Sequence, residues 1–328
     1  MAMTPQATAT SSTLTMADRW DHVLARWGYR RGNHRVAPGL YALGHPTAAS
    51  PVFVTANYSL SFDALRSSLP DVDGYILVLD TNGINVWCAA GKGTFGTDEL
   101  VRRIEATELA QVISHRKLIL PQLGAPGVAA HEVKQRTGFS VTYGPVRAAD
   151  LPTYLTTGLA TPEMRQVRFD LQDRATLIPI ELVHALLPML VIALVLGLAV
   201  LPIAGWAVVA AVLAGVVLFP LALPWLPGWD FSAKGFFLGG LVALPFVTLA
   251  LAGAISPAIW WKAVWALTFA LAMPSVTAYL ALNFTGATTF TSRTGVAREM
   301  RTYIPAIAWL FGVGAVLLVA LSIYGWVA

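Results

Sequence analysis

A chain of 328 residues that is 56% hydrophobic and only 12% charged is too apolar to be soluble throughout, so part of it belongs in lipid. The formal net charge is +4, and no nucleic acid is expected among the partners. A single cysteine rules out an intramolecular disulfide and any four-cysteine zinc or iron–sulfur site, so a metal here has to arrive with its own scaffold.

The first fifteen residues are rich in Ser, Thr, Ala and Pro and lack the apolar stretch of a secretory signal, which predicts that the amino-terminal domain stays in the cytoplasm. Positions 1–29 read as a flexible or helical segment. From there to about position 165 the pattern alternates. Strand-like runs fall at 51–56, 75–80, 85–89, 117–120 and 140–143, and helix-like ones near 61–69, 97–113 and 127–137. Such alternation predicts an α/β domain with a mainly parallel sheet, and ligands of such sheets lie beyond the carboxyl ends of the strands. The loops after Val54, Leu79 and Ile119 are therefore the expected walls of a site.

A linker over 166–176 leads into residues 177–328, where charges become sparse. About 20 residues of helix cross the hydrocarbon layer, and apolar runs of that size begin near Ile178, Ile203, Gly235, Ile259 and Tyr303, predicting five transmembrane helices. Trp206, Trp225, Trp229, Trp260, Trp261 and Trp326 lie near their ends, where an indole prefers the headgroup region. Pro245 and Pro274 fall within runs and are tolerable in a packed bundle. Arg165, Arg168 and Arg174 precede the first span, Lys234 the third, and Arg293, Arg298 and Arg301 the fifth, whereas the turns near Leu201 and Pro257 carry neither Lys nor Arg. The positive-inside rule then places the soluble domain in the cytoplasm and the carboxyl terminus outside, in a multi-pass inner-membrane protein. Only His184 and Lys262, both near helix ends, stand as candidates for an ion pathway, so the bundle reads as an anchor.

Two motifs compete in the soluble part. Gly91, Gly93 and Gly96 form a Gly-x-Gly-x-x-Gly pattern between a predicted strand and a predicted helix, as in a dinucleotide site. The next strand ends in Leu120-Pro121-Gln122 and offers no carboxylate for a ribose hydroxyl. A Walker loop fails as well, because Gly93 follows Lys92 and Val86 stands where the first glycine belongs. Beside this pattern lies Cys88. In an apolar strand a lone cysteine is ordinarily a buried small hydrophobe, and a ligand role stands as the alternative.

The run Asn85-Val86-Trp87-Cys88-Ala89-Ala90-Gly91-Lys92 resembles, residue for residue, the signature of the mercury-methylating corrinoid proteins. The runs 51–58 and 115–121 resemble the corrinoid-binding domain of the acetyl-CoA pathway's corrinoid iron–sulfur protein, and the five-span tail with the loop 283–292 is also similar to the mercury-methylating family. The resemblance covers about residues 30–165. It implies a cytoplasmic α/β corrinoid-binding domain, Rossmann-like with a mainly parallel sheet, joined to an all-α five-helix transmembrane domain. It implies cobalamin or a related corrinoid as cofactor. Cys88, on a short cap element that is helical in this reading, is then the catalytic residue and the lower axial ligand of cobalt. The cofactor-binding set becomes Asn85, Val86, Trp87, Cys88, Ala89, Ala90, Gly91, Lys92 and Gly93 of the cap, with Thr55, Asn57, Pro121, Gln122 and Gly144 toward the corrin or its tail.

The resemblance further implies methyl transfer to mercury(II), forming methylmercury. A two-cluster 4Fe–4S ferredoxin would serve as electron donor, and the methyl would come from a folate-linked or similar donor of one-carbon metabolism. A membrane-bound methyl carrier that never meets mercury, and a transporter with a regulatory α/β domain, remain open beside it.

Overall fold

The computed structural model describes residues 7–255, 258–288 and 292–327 and divides into two units, Met1–Arg168 and Phe169–Ala328. Pro257, Thr289, Phe290 and Thr291 lie outside the described residues, as do the side chains of Arg293 and Trp326.

In the first unit the elements run β1 (Thr8–Thr10), α1 (Met16–Arg26), β2 (Gly39–Leu43), β3 (Val52–Ala56), α2 (Ser59–Ser67), β4 (Gly74–Leu79), α3 (Val86–Lys92), α4 (Thr97–Ala106), α5 (Leu109–Val112), β5 (Lys117–Leu120), α6 (Ala130–Thr137), β6 (Ser140–Tyr143) and α7 (Leu151–Thr157). The six strands form one sheet in the order β1-β2-β4-β3-β5-β6. Four of them, β4-β3-β5-β6, run parallel, and β2 joins antiparallel to β4. The α/β class and mainly parallel sheet are as the alternation predicts.

Period-2 geometry sends Val52, Val54 and Ala56 of β3, with Leu77 and Leu79 of β4, into one apolar cluster, and Phe53, Ile76 and Val78 into the other. Helices cover both clusters, so these strands read as continuous apolar runs. Val52, Leu77, Leu79 and Leu118 are fully buried, and each such side chain contributes about 1.5–3 kcal/mol.

Two expectations are corrected. The run 85–89 is not a strand but the start of helix α3, because Asn82 and Gly83 turn the chain with φ of 58° and 70° and Asn85 then caps a helix. The helix expected over 97–113 is two, broken at Glu108, which adopts a left-handed φ of 45°. In the amino-terminal segment, β1 pairs with β2, and α1 opens with a capping box in which Thr15 and Asp18 bond reciprocally. Arg66, buried, holds this segment. Its guanidinium donates to Asp63 at 2.6 Å, Asp18 at 2.8 Å, and the carbonyls of Ser11 and Thr13.

The second unit opens with the short α8 (Leu171–Ala175), followed by α9 (Ile178–Ala199), α10 (Pro202–Leu213) and, beyond a π-helical turn, α11 (Phe219–Ala222). Then come α12 (Phe231–Ala252), α13 (Ile259–Asn283) and α14 (Arg293–Val327). Among the described residues five segments are long and apolar enough to cross a membrane, as composition predicts. Small residues set the packing: a Cβ on Gly235 would stand 2.6 Å from the Ala278 backbone, and one on Gly239 2.6 Å from that of Pro274. This Gly-x-x-x-Gly face lets α12 and α13 approach closely where lipid supplies no hydrophobic drive.

Candidate functional site

The strand order β4-β3-β5-β6 reverses direction between β3 and β5, since the chain builds leftward from β3 to β4 and then crosses to β5. A ligand crevice is expected at that switch point, beyond the carboxyl ends. A cleft of about 300 Å³ lies there. Phe53, Val54 and Thr55 of β3 and Ile119 and Leu120 of β5, with Pro121 just after it, form its floor, α2 and Leu151 of α7 contribute to the walls, and Asn85, Val86 and Trp87 close one side.

The loop from β4 to α3 is held firmly. Asn57, only 2% exposed, accepts from the backbone N–H of Thr81 at 3.0 Å and Gly83 at 2.9 Å, and its amide donates to Asp80 at 3.1 Å. From the other side Glu99 of α4 accepts the Asp80 N–H at 2.8 Å, and Arg103 in turn pairs with Glu99 at 2.7 Å. Asn57 therefore positions the loop from beneath and lies off the cleft lining.

Asn85 is the N-cap of α3, and its side-chain oxygen accepts the Cys88 N–H at 2.9 Å. Helical spacing then sorts the octet by face. Val86, Ala89 and Ala90 pack into the core, Trp87 is half-buried on the cleft, and Cys88, Gly91, Lys92 and Gly93 are exposed. Cys88 is thus an exposed thiol on a capped helix, which corrects the reading of it as a buried small hydrophobe in a strand.

The glycines of the rival motif have other work. Gly93 ends α3 in a left-handed C-cap at φ 86°. Gly96 lies against the carbonyl of Gly93, where a Cβ would come within 2.7 Å. The N–H of Thr97, which opens α4, already donates to Gly127, and its hydroxyl accepts from Ala129. The start of α4 is occupied by protein, and no strand precedes the glycines. The arrangement that a dinucleotide loop needs is absent at this motif.

Of the other residues read from sequence, Cys88, Ala89, Ala90, Gly91, Lys92, Gly93, Gln122 and Gly144 also stand apart from the cleft lining. Gln122 accepts a hydrogen bond from Arg165 at 2.7 Å, and Gly144 is buried with its N–H on the carbonyl of Leu120. Thr55 and Pro121 lie on the cleft. Sequence reading missed Ser61, Ala64, Leu65, Leu123, Pro145, Val146, Ala148 and Leu151 of its wall, which are ordinary residues without a chemical signature.

Residues 30–155 match the family model of the CO dehydrogenase/acetyl-CoA synthase delta subunit. The chain is 33% identical over 127 residues to the acetyl-CoA decarbonylase/synthase complex subunit gamma of Methanopyrus kandleri, covering 38% of this chain and 27% of that protein. It is 32% identical over 123 residues to the corresponding subunit of Archaeoglobus fulgidus, covering 37% and 26%. To the corrinoid/iron–sulfur protein large subunit of Moorella thermoacetica it is 25% identical over 160 residues, covering 46% and 35%. The first unit of this chain is therefore similar to part of these proteins, and the match spans about a quarter to a third of their length.

Proposed function

We propose that this chain is a membrane-bound, corrinoid-dependent methyltransferase that passes a methyl group to mercury(II), with Cys88 as the axial thiolate of the cobalt. One observation carries the reading: the only cysteine of the chain stands exposed on a helix capped by Asn85, whose first residues, Val86 and Trp87, line a cleft at the sheet's switch point. The likeness to a corrinoid/iron–sulfur protein supports the cofactor.

The residues present suit such a group. Among the described residues no three His, Cys, Asp or Glu side chains gather to hold a metal. A cobalt carried in its own macrocycle asks the chain for one axial donor, and Cys88 is available as that donor. Val86, Trp87, Leu120 and Pro121 offer apolar surface that keeps water from the cleft. Thr55 is the polar side chain on its floor.

The bound corrinoid would supply a methyl–cobalt bond. The substrate, mercury(II), is an electrophile, and the group, when bound, would supply it with a methyl and its bonding electron pair. Cys88 would hold the group through its soft sulfur, and Asn85 keeps the helix turn that carries Cys88 in place. Renewed loading would draw on an outside electron donor, for which a two-cluster 4Fe–4S ferredoxin is suited, and on a one-carbon methyl donor. In this reading residues 30–165 form the corrinoid domain on the cytoplasmic side of the inner membrane, with the carboxyl terminus outside.

The test is anaerobic purification of the full chain, reconstitution with methylcobalamin, addition of mercury(II), and comparison of visible spectra and methylmercury formation for wild type and Cys88→Ala. A thiolate-dependent band and methylmercury, both lost in the variant, are expected. Methylation that survives in Cys88→Ala overturns the axial-thiolate role. Bound corrinoid that exchanges methyl groups but never methylates mercury moves the protein to a methyl carrier, the reading favoured by its likeness to acetyl-CoA decarbonylase/synthase subunits.

A further inference from the structure

Arg174 sits in α8, immediately before the first long apolar helix, and is only 5% exposed. Its Nε donates to the carbonyl of Asp170 at 3.3 Å, and the guanidinium lies 5.7 Å from the centre of the Trp225 ring. Its Nη1 is buried and has no hydrogen-bond partner. A guanidinium is always charged, and a buried donor of this kind calls for an acceptor, preferably an anion. Trp225 itself is 75% exposed and Trp229 is 97% exposed, as expected of indoles in a headgroup layer. The same end of the bundle carries Lys234, Arg298 and Asp230. Their roles are internal: Lys234 donates to the carbonyl of Leu223, and Asp230 accepts from Arg298 and Tyr303. Among the described residues there, Arg174 is the buried cation whose donor capacity is left over.

We propose that Arg174 and Trp225 form a binding site for the phosphate of a phospholipid headgroup. The phosphate accepts from Nη1 once the exposed Trp225 indole swings off the guanidinium, and the indole then packs on the glycerol region. The site fastens the start of the first span at a fixed depth in the bilayer. Phosphate oxygens match the planar donors of a guanidinium, so Lys retains the charge at this position but loses the paired geometry.

The experiment uses the full chain in an uncharged detergent. Retained and added lipid are counted by native mass spectrometry during titration with phosphatidylglycerol, and separately with inorganic phosphate as competitor. Wild type is expected to hold one phospholipid at least tenfold more tightly than Arg174→Gln, with Arg174→Lys and Trp225→Ala between them. Equal lipid retention by wild type and Arg174→Gln overturns the site. Displacement of the lipid by millimolar inorganic phosphate overturns the assignment to a headgroup in favour of a free phosphate. Should Arg174→Gln fail to fold, Arg174→Lys and Trp225→Ala decide the matter, because retention equal to wild type in both overturns the proposal.

Discussion

Asn85 and Cys88 are joined by one hydrogen bond, 2.9 Å from the cysteine N–H to the asparagine side-chain oxygen, and this bond starts the helix that displays the thiol. Replacing Asn85 by Ala removes an N-cap worth about 1 kcal/mol. The expected result is a folded protein in which the amides of 86–92 exchange faster with deuterium, and Asn85→Asp retains protection.

Cys88 is exposed, so it is a small part of the stability of the fold. Cys88→Ala is expected to change unfolding free energy by no more than about 0.5 kcal/mol, as surface substitutions usually do. Native wild type should titrate one thiol per chain with a disulfide reagent, without denaturant. A thiol that reacts only after unfolding would contradict the exposed placement.

The glycines around α3 separate two kinds of cost. Gly93→Ala places a side chain at φ 86° with open space around it, a strain of about 1–2 kcal/mol. Gly127→Ala drives a Cβ into the backbone of Phe95 and to 3.0 Å from the Ala90 Cα. Its unfolding midpoint in urea is expected to fall further than that of Gly93→Ala, and its corrinoid binding to fall with it.

Arg66 ties β1 and α1 to the body through two carboxylates and two carbonyls. Arg66→Ala leaves buried Asp63 with His22 as its remaining side-chain partner, a destabilisation of at most about 3–5 kcal/mol, and limited proteolysis should then cut before residue 30. Acid acts on the same joint. Burial pushes the Asp18 carboxyl up, but hydrogen bonds from Thr15 and Arg66 bring it down further, to a net value below the ordinary aspartate range. A depressed carboxylate contributes fully above its unfolded pKa and loses that contribution as pH falls through its folded one. Proteolytic release of the segment should rise only in acid below the ordinary aspartate range, and Asp18→Asn should abolish that limb.

In the membrane unit, Gly239→Leu places a branched side chain where even a Cβ meets the Pro274 backbone at 2.6 Å. The bundle is expected to lose thermal stability in detergent, measured by monodispersity after heating, while Gly240→Leu, whose Cβ position is open, leaves it unchanged.

Some of this was written along the chain. Continuous apolar runs such as Val52–Ala56 already imply a strand buried on both faces, and five runs of about 20 apolar residues imply five spans, because both follow from local hydropathy and element length. The octet around Cys88 named the residues of the candidate site by likeness. The alternation alone misjudged run 85–89 as a strand, since Ile84, Val86 and Trp87 favour extended structure and the helix depends on a single cap and the turn at Asn82 and Gly83. Residues with no chemical signature, such as Ala148 and Leu151, became part of a cleft only because the sheet reverses its build between β3 and β5. Position in a loop did not reveal the protein partners of Asn57 and Gln122. Tertiary hydrogen bonds from Thr81, Gly83 and Arg165, distant in sequence and brought close by strand pairing, assigned them their present partners.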